Sequence, residues 1–218
     1  MAESVIILGT GGNCVDILET LNDINQAAGE TLYTCKGFLD DREALHGTET
    51  HGHRVLGPIK SAPEHPGCRF VNGIGSPKNY LNKPGIIAQA GQEDSAFVTL
   101  IHPTAYVSRS ARLGPGTVIL QQATVTSNVV IGNHVIVLPN SVVSHDVQVG
   151  NYTSIAGGVI ISSGVIIGPG CYLGTGSCIR GDLRIDEGAM VGMGSVVLDH
   201  VAAGDTVMGN PARPKDHA

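Results

Sequence analysis

The residues best placed for proton transfer in this sequence are two neighbours in the stretch VVSHDVQVG, His145 and Asp146. A carboxylate beside an imidazole fixes the ring tautomer and strengthens it as a base, so the pair could take a proton from a nucleophile near neutral pH. The surroundings are unusual. From Leu113 to Ile179 there is no Lys, Arg or Glu, and Asp146 is the only Asp. A surface histidine is the plain reading of such a residue. A lone carboxylate on an uncharged wall, however, costs free energy unless it is paired, and this favours a working pair.

Two further clusters could bind rather than react. Gly9, Gly11 and Gly12, followed by Asn13, lie where a first strand turns into a helix, and free N–H groups there would hold a phosphate. The dinucleotide pattern GxGxxG is not met because Cys14 occupies the third glycine position, so a plain tight turn fits equally. Asp40 and Asp41 end a second strand, where a carboxylate could accept a hydrogen bond from a ribose or base. An exposed Asp-rich turn is the alternative. His102, His134, His145 and His200 invite a metal reading, but they lack the spacing that would converge three ligands on zinc, and no metal is expected.

The elements that must position these groups divide near residue 100. Every sixth residue from Ile101 to Val197 is Ile, Leu or Val, and the residue four places after each is small or short and mostly apolar. A six-residue repeat of this kind fits one flat side of a parallel β-helix, with three hexads to a triangular coil. Gly114, Gly132, Gly150, Gly168 and Gly204 lie on an eighteen-residue ladder, expected to stack at a corner that needs unusual backbone dihedrals. On that ladder His145 shares a column with Arg109, Ser127, Ser163, Gly181 and Asp199, which is polar or small throughout and faces solvent or another subunit. Before the repeats, Ser4–Leu8, YTCKGFLDD and RFVNGIG read as strands, with a helix from Asn13 to about Ala27 between the first two. This is a βαβ unit of a small parallel sheet. Pro84 and Gly85 weaken any helix through residues 79–90. The division expected is 1–97 and 98–218.

Composition narrows the function classes. The 218 residues carry a net charge of −6, which offers no basic footprint for nucleic acid or an anionic membrane. No apolar run reaches the length of a bilayer span, and the N-terminus lacks the basic, apolar pattern of a signal peptide. Five cysteines without a CxxC pair read as reduced thiols, mostly small core residues, so a cytoplasmic location is expected.

The hexads, SHD continuing into VxxGNYTSIAGG, the LGTGS and VGMGS segments and the ending VMGNPAR together resemble the left-handed β-helix acetyltransferases. The GTGG turn, GFLDD and VNGIGSPKNY resemble one branch of them, the bacterial nucleotide-sugar N-acetyltransferases and sialic acid O-acetyltransferases. The resemblance spans essentially the whole chain. It implies an α/β, Rossmann-like N-terminal lobe for the nucleotide sugar, followed by an all-β left-handed parallel β-helix, in a homotrimer with acetyl-CoA between neighbouring prisms. His145 then resembles the general base and Asp146 its acidic neighbour. Gly11, Gly12, Asn13, Asp40, Asp41 and Gly75 fall at positions that contact the nucleotide-linked amino sugar. Ser154, Thr175, Met193 and Arg213 fall at acetyl-CoA positions. Two positions depart from the branch, which often has His where this chain has Asn13 and Ser154. The resemblance implies direct transfer to the amine of a nucleotide-linked 4-amino-4,6-dideoxy sugar. O-acetylation of a sialic acid and a non-catalytic sugar-nucleotide scaffold are the other readings.

Overall fold

The computed structural model describes residues 2–215. The N-terminal lobe begins with β1 (Glu3–Leu8), whose last four residues are buried. It leads through the glycine turn into α1 (Gly12–Ala28). Cys14, Ile17, Leu18 and Leu21 lie one helical turn or so apart and form the buried stripe of α1, which stops at Gly29 in the left-handed conformation (φ 69°). The parallel strands β2 (Tyr33–Leu39), β4 (His53–Gly57) and β5 (Cys68–Asn72) complete a five-stranded sheet of order β3-β4-β2-β1-β5. Its edge, β3 (Glu49–Thr50), pairs antiparallel with β4.

That hairpin was not foreseen, because β3 and the start of β4 are polar and only Val55 and Leu56 are apolar, too short a run to show a strand's alternation. The segment weakened by Pro84 and Gly85 does form a helix, α2 (Lys83–Gln89). Pro84 stands at its start, where a missing N–H costs nothing.

From Leu100 onward the chain winds as a parallel β-helix. Two-residue strands pair with those eighteen residues away, as Val143 does with Val125 and Ile161. Three sheets result. The first face runs from Leu100–Ile101 through Ser154–Ile155 to Met190–Val191 and is closed by Thr206–Gly209 and Ala212–Pro214. The second face runs from Tyr106–Val107 to Val196–Val197, and the third from Arg112–Leu113 to Arg184–Ile185. From Ile119 onward the hexad Ile, Leu and Val residues fill the interior, with the residue four places later beside them. Ile101, by contrast, is exposed at the open end of the coil.

The glycine ladder needs a different explanation from the one expected. Gly114, Gly132, Gly150 and Gly168 do not have positive φ. They are glycine because successive coils nearly touch there: a Cβ on Gly150 would lie 2.4 Å from the backbone nitrogen of Pro169. The left-handed residues come two places later and include Gly116, His134, Tyr152, Gly170 and Gly188. Gly204 belongs with these (φ 73°), because the last coil is two residues short: Met190 and Val191 pair with Thr206 and Val207.

The lobe sits on the first face. Leu100, Val118, Leu120 and Ile136 of the coil share one apolar core with Val5, Ile7, Ile17 and Leu21 of the lobe. Polar links flank this core. His102 Nε2 lies 2.8 Å from Asp23 Oδ2, and the Tyr80 hydroxyl donates to the Gly188 carbonyl at 3.1 Å.

Candidate functional site

The lobe opens a cavity of about 410 Å³ at the C-terminal ends of β1, β2 and β5, where an open parallel sheet binds its ligands. Gly11, Gly12, Asn13, Asp40, Asp41 and Gly75 all line it, so six positions scattered through the sequence are brought together. The glycines have different causes. Gly9 takes φ 94°, and a Cβ on it would meet Ile74 at 2.8 Å, so the turn itself demands glycine. At Gly11 and Gly12 a Cβ would meet nothing within 4 Å, and neither has a positive φ. What a side chain there would occupy is the cavity. Gly11 caps α1 without a side-chain hydrogen bond, and the first turn holds no acidic residue, leaving N–H groups and the helix dipole for an anion. Cys14, in place of the third motif glycine, is buried against the turn, and burial pushes its thiol up to about 12.

The two aspartates do not act alike. Asp40 is nearly buried, and both its oxygens are engaged. The Arg42 side chain spans them, with Nε to Oδ1 at 2.9 Å and Nη2 to Oδ2 at 2.8 Å. The Arg42 backbone N–H adds a bond to Oδ1 and the Thr10 hydroxyl one to Oδ2. Burial alone would raise this carboxyl, but the bonds from Arg42 and Thr10 hold it down at about 2. Asp41 uses Oδ1 to accept the Ile59 N–H at 2.9 Å. Arg42, which sequence reasoning passed over, therefore lines the cavity beside Asp40 and neutralises it.

His145 and Asp146 lie on the corner between the second and third faces, the corner opposite the face that carries the lobe. His145 Nδ1 is 2.7 Å from Asp146 Oδ2, and both side chains are more than half exposed. The hydrogen bond from His145, helped by the Asn128 amide at 3.1 Å, keeps the Asp146 carboxyl below the usual range. As an ionised acceptor on Nδ1–H, Asp146 leaves the lone pair of a neutral ring on Nε2. Asp146 is left-handed (φ 63°), as are its column neighbours Asn128, Gly164 and Asp182. These are the residue types that tolerate that conformation, so the backbone accounts for Asp or Asn here and the charge remains to be explained.

The expected acetyl-CoA positions separate. Thr175 and Met193 stack one coil apart on the corner between the first and second faces, both exposed, Met193 at 77%. Ser154 is instead buried under the lobe: a Cβ on Gly75 would lie 2.6 Å from its Oγ, which accepts from Lys83 Nζ at 3.4 Å. Arg213 is at the far end of the coil, 3.5 Å from Asp199.

Lys83 was also missed. It is fully buried, and burial pushes its amine down to about 7. A lysine in the polar stretch NKPG carries no sequence signal of burial. Three of the coil histidines sit at different corners, His134 with Asp94, His102 with Asp23 and His145 with Asp146, while His200, past the second face like His145, accepts the Arg184 N–H.

Comparison with known proteins places the whole chain among related folds. Residues 128–163 match the family model described as bacterial transferase hexapeptide (six repeats). The UDP-N-acetylbacillosamine N-acetyltransferase of Bacillus subtilis is 33% identical over 122 residues, 54% of this chain and 51% of that protein, so the match spans about half the length of this curated relative. The acetyltransferase domain of PglB from Neisseria gonorrhoeae superposes with a TM-score of 0.84 at 28% identity, covering 98% of this chain and 100% of that one. PerB from Caulobacter crescentus, solved with CoA and GDP-perosamine, gives 0.82 at 25% identity, covering 99% and 98%. The chain is thus a hexapeptide-repeat β-helix protein with an α/β N-terminal lobe, similar over nearly its whole length to bacterial nucleotide-sugar N-acetyltransferases.

Proposed function

We propose that the protein transfers an acetyl group from acetyl-CoA to the amine of a nucleotide-linked amino sugar, of the 4-amino-4,6-dideoxy class, by direct attack. The observation that carries the chemistry is the 2.7 Å contact between His145 Nδ1 and Asp146 Oδ2, which leaves Nε2 as the free base. As the sugar nitrogen bonds to the acetyl carbon, Nε2 takes the proton that nitrogen loses. The C–S bond breaks, the amide forms, and the proton passes on to the departing thiolate. A backbone N–H of the coil stabilises the oxyanion in between.

The cavity bounded by Gly11, Gly12, Asn13 and Gly75 receives the nucleotide sugar, its phosphates at the start of α1. Thr175 and Met193 offer an exposed column for the pantetheine arm, and Arg213 a cation for a CoA phosphate. Ser154, sealed beneath Gly75 in the single chain, belongs nearer the sugar end of this arrangement.

In one chain the base and the cavity lie on opposite sides of the prism. His145 therefore serves a sugar held by the lobe of a neighbouring copy, and the working unit is a homotrimer. The second face supports this: its outward residues Tyr106, Thr124, Val142, Ile160, Cys178 and Val196 carry no charge.

The test is thiol release from acetyl-CoA against a panel of UDP-, GDP- and dTDP-linked amino sugars, with sialic acid alongside. Release with an amino sugar and formation of its N-acetyl product is expected. Release only with sialic acid would mean O-transfer, and none with any acceptor would sink the proposal.

A further inference from the structure

The wall of the cavity that follows β5 has few bonds of its own. Gly73, Ile74, Gly75, Ser76 and Asn79 line the cavity there, and Ile86 of α2 closes it. The Asn72 side chain clamps Ile74, its Nδ2 donating to the carbonyl at 2.8 Å and its Oδ1 accepting the N–H at 3.1 Å. Asn79 Oδ1 likewise accepts from the Ser76 N–H and hydroxyl. Between these clamps Gly75 is buried, and among the described residues its backbone makes no hydrogen bond. It rests on the coil instead: a Cβ there would lie 2.6 Å from Ser154 Oγ and 3.6 Å from Ile136 Cδ1. Where Ser154 stands therefore decides where Gly75 stands.

Ser154 Oγ is fixed in turn by Lys83, the first residue of α2, whose Nζ donates to it at 3.4 Å. Lys83 is fully buried, and Ser154 is the one partner its amine has among the described residues. Three residues earlier Tyr80 docks one coil further along. Its ring lies 5.7 Å from that of Tyr172, the ladder partner of Ser154, and its hydroxyl donates to the Gly188 carbonyl. An amine with a single partner is costly to bury, and a methionine of similar length would fill the space without that cost. Holding Ser154 is what the amine adds to packing.

We propose that Lys83 is a positioning residue for the sugar-facing wall of the cavity, setting Gly75 through the Ser154 hydroxyl. Lys83 does not itself line the cavity, so its effect on the acceptor is indirect. This inference rests on the nucleotide-sugar reading of the cavity.

The test compares Lys83→Met, Ser154→Ala and the double variant with the parent. The readouts are hydrogen exchange of the folded chain and steady-state kinetics with the amino sugar that the acceptor panel identifies. In Lys83→Met the thermal midpoint should stay at or above the parent's, because the buried amine is gone. Amides of residues 73–82 should nevertheless exchange faster, with the rest of the lobe sheet and the coil unchanged. KM for the amino sugar should rise by about two- to tenfold, the range one hydrogen bond contributes, while kcat and KM for acetyl-CoA change little. Ser154→Ala should raise the sugar KM by a similar factor. The double variant should be no worse than the stronger single, since both changes remove the same link. Unchanged exchange at 73–82 in Lys83→Met, or faster exchange spread over the whole chain, would overturn the inference. So would an unchanged sugar KM, an equal change in both KM values, or effects that multiply in the double variant. If no amino sugar is a substrate, the nucleotide-sugar reading falls by itself, and the exchange result still decides what Lys83 holds.

Discussion

Two of the coil's histidine–aspartate pairs, of nearly equal length, stand in opposite settings. His134 lies at the seam with the lobe, its Nε2 3.0 Å from Asp94 Oδ1 and its side chain fully buried. It stacks on Tyr152 at 5.4 Å between centroids and meets Phe97 edge-on at 4.6 Å. Its Nδ1 has no hydrogen-bond partner among the described residues, and a Cβ on Gly116 would come within 2.5 Å of it. No substrate could reach that nitrogen. His145 also gives one nitrogen to an aspartate, but the other faces outward at an exposed corner. The same two side chains make a strut in one place and, in the mechanism proposed above, a base in the other, and the difference is whether the second nitrogen is accessible.

The largest effect expected from breaking this contrast is at His145. His145→Ala should lower acetyl transfer by about 10²–10⁴-fold, the usual contribution of a positioned base, with the thermal midpoint and oligomeric mass unchanged. Full activity in that variant would remove His145 from the chemistry.

His134 should behave the other way round. Burial pushes its imidazole below the ordinary value, against the opposing pull of Asp94, so the unfolded chain binds this proton at higher pH than the folded one. Stability from this group is then complete above about 6.5 and declines as pH falls through the lower folded value. Asp94, held below 3.8 first by its bond from His134, adds a further loss in stronger acid. His134→Ala should cost about 3 kcal/mol through the cavity beside Phe97 and Tyr152. It should also flatten the loss of stability between neutral and mildly acid pH, as denaturant titrations at several pH values would show. Activity per folded molecule should survive. A loss of turnover at full folding would make His134 more than a strut.

The sequence made these two regions unequally legible. The hexads announced the coil, because an interior of stacked Ile, Leu and Val admits no interruption, and the ladder placed His145 on its outer column. The same periodicity misled at the glycines, since a repeat shows that a small residue recurs and cannot say whether a dihedral or a neighbouring coil requires it. Gly150 is glycine because Pro169 is so close. The lobe was legible in outline only. Its strands and GTGG turn showed, but Arg42 and Asp40 meeting Thr10 of the glycine turn, and Lys83 sealed against Ser154, depend on contacts across long sequence separations that local pattern does not encode. His134 read as one more coil histidine, because its partner Asp94 lies in the lobe-side segment before the coil.

The smallest and most discriminating change is Asp146→Asn. Replacing Asp146 with Ala would confuse two roles, since the left-handed turn favours Asp, Asn or Gly, and alanine would strain it. Asparagine is already present in that conformation one coil earlier, at Asn128. The substitution therefore keeps the backbone and nearly the shape and removes only the charge. An amide oxygen can still accept from Nδ1–H, so the ring stays oriented much of the time. What is lost is the ionic preference for that tautomer and the stabilisation of the imidazolium formed as Nε2 takes its proton. At an exposed site solvent screens part of that effect, so the fall in kcat should be roughly tenfold, well short of the His145→Ala loss, with KM for both substrates little changed. If Asp146→Asn matched the parent, the aspartate would be a turn residue alone and His145 would act unaided. If it matched His145→Ala, the pair would function as one unit.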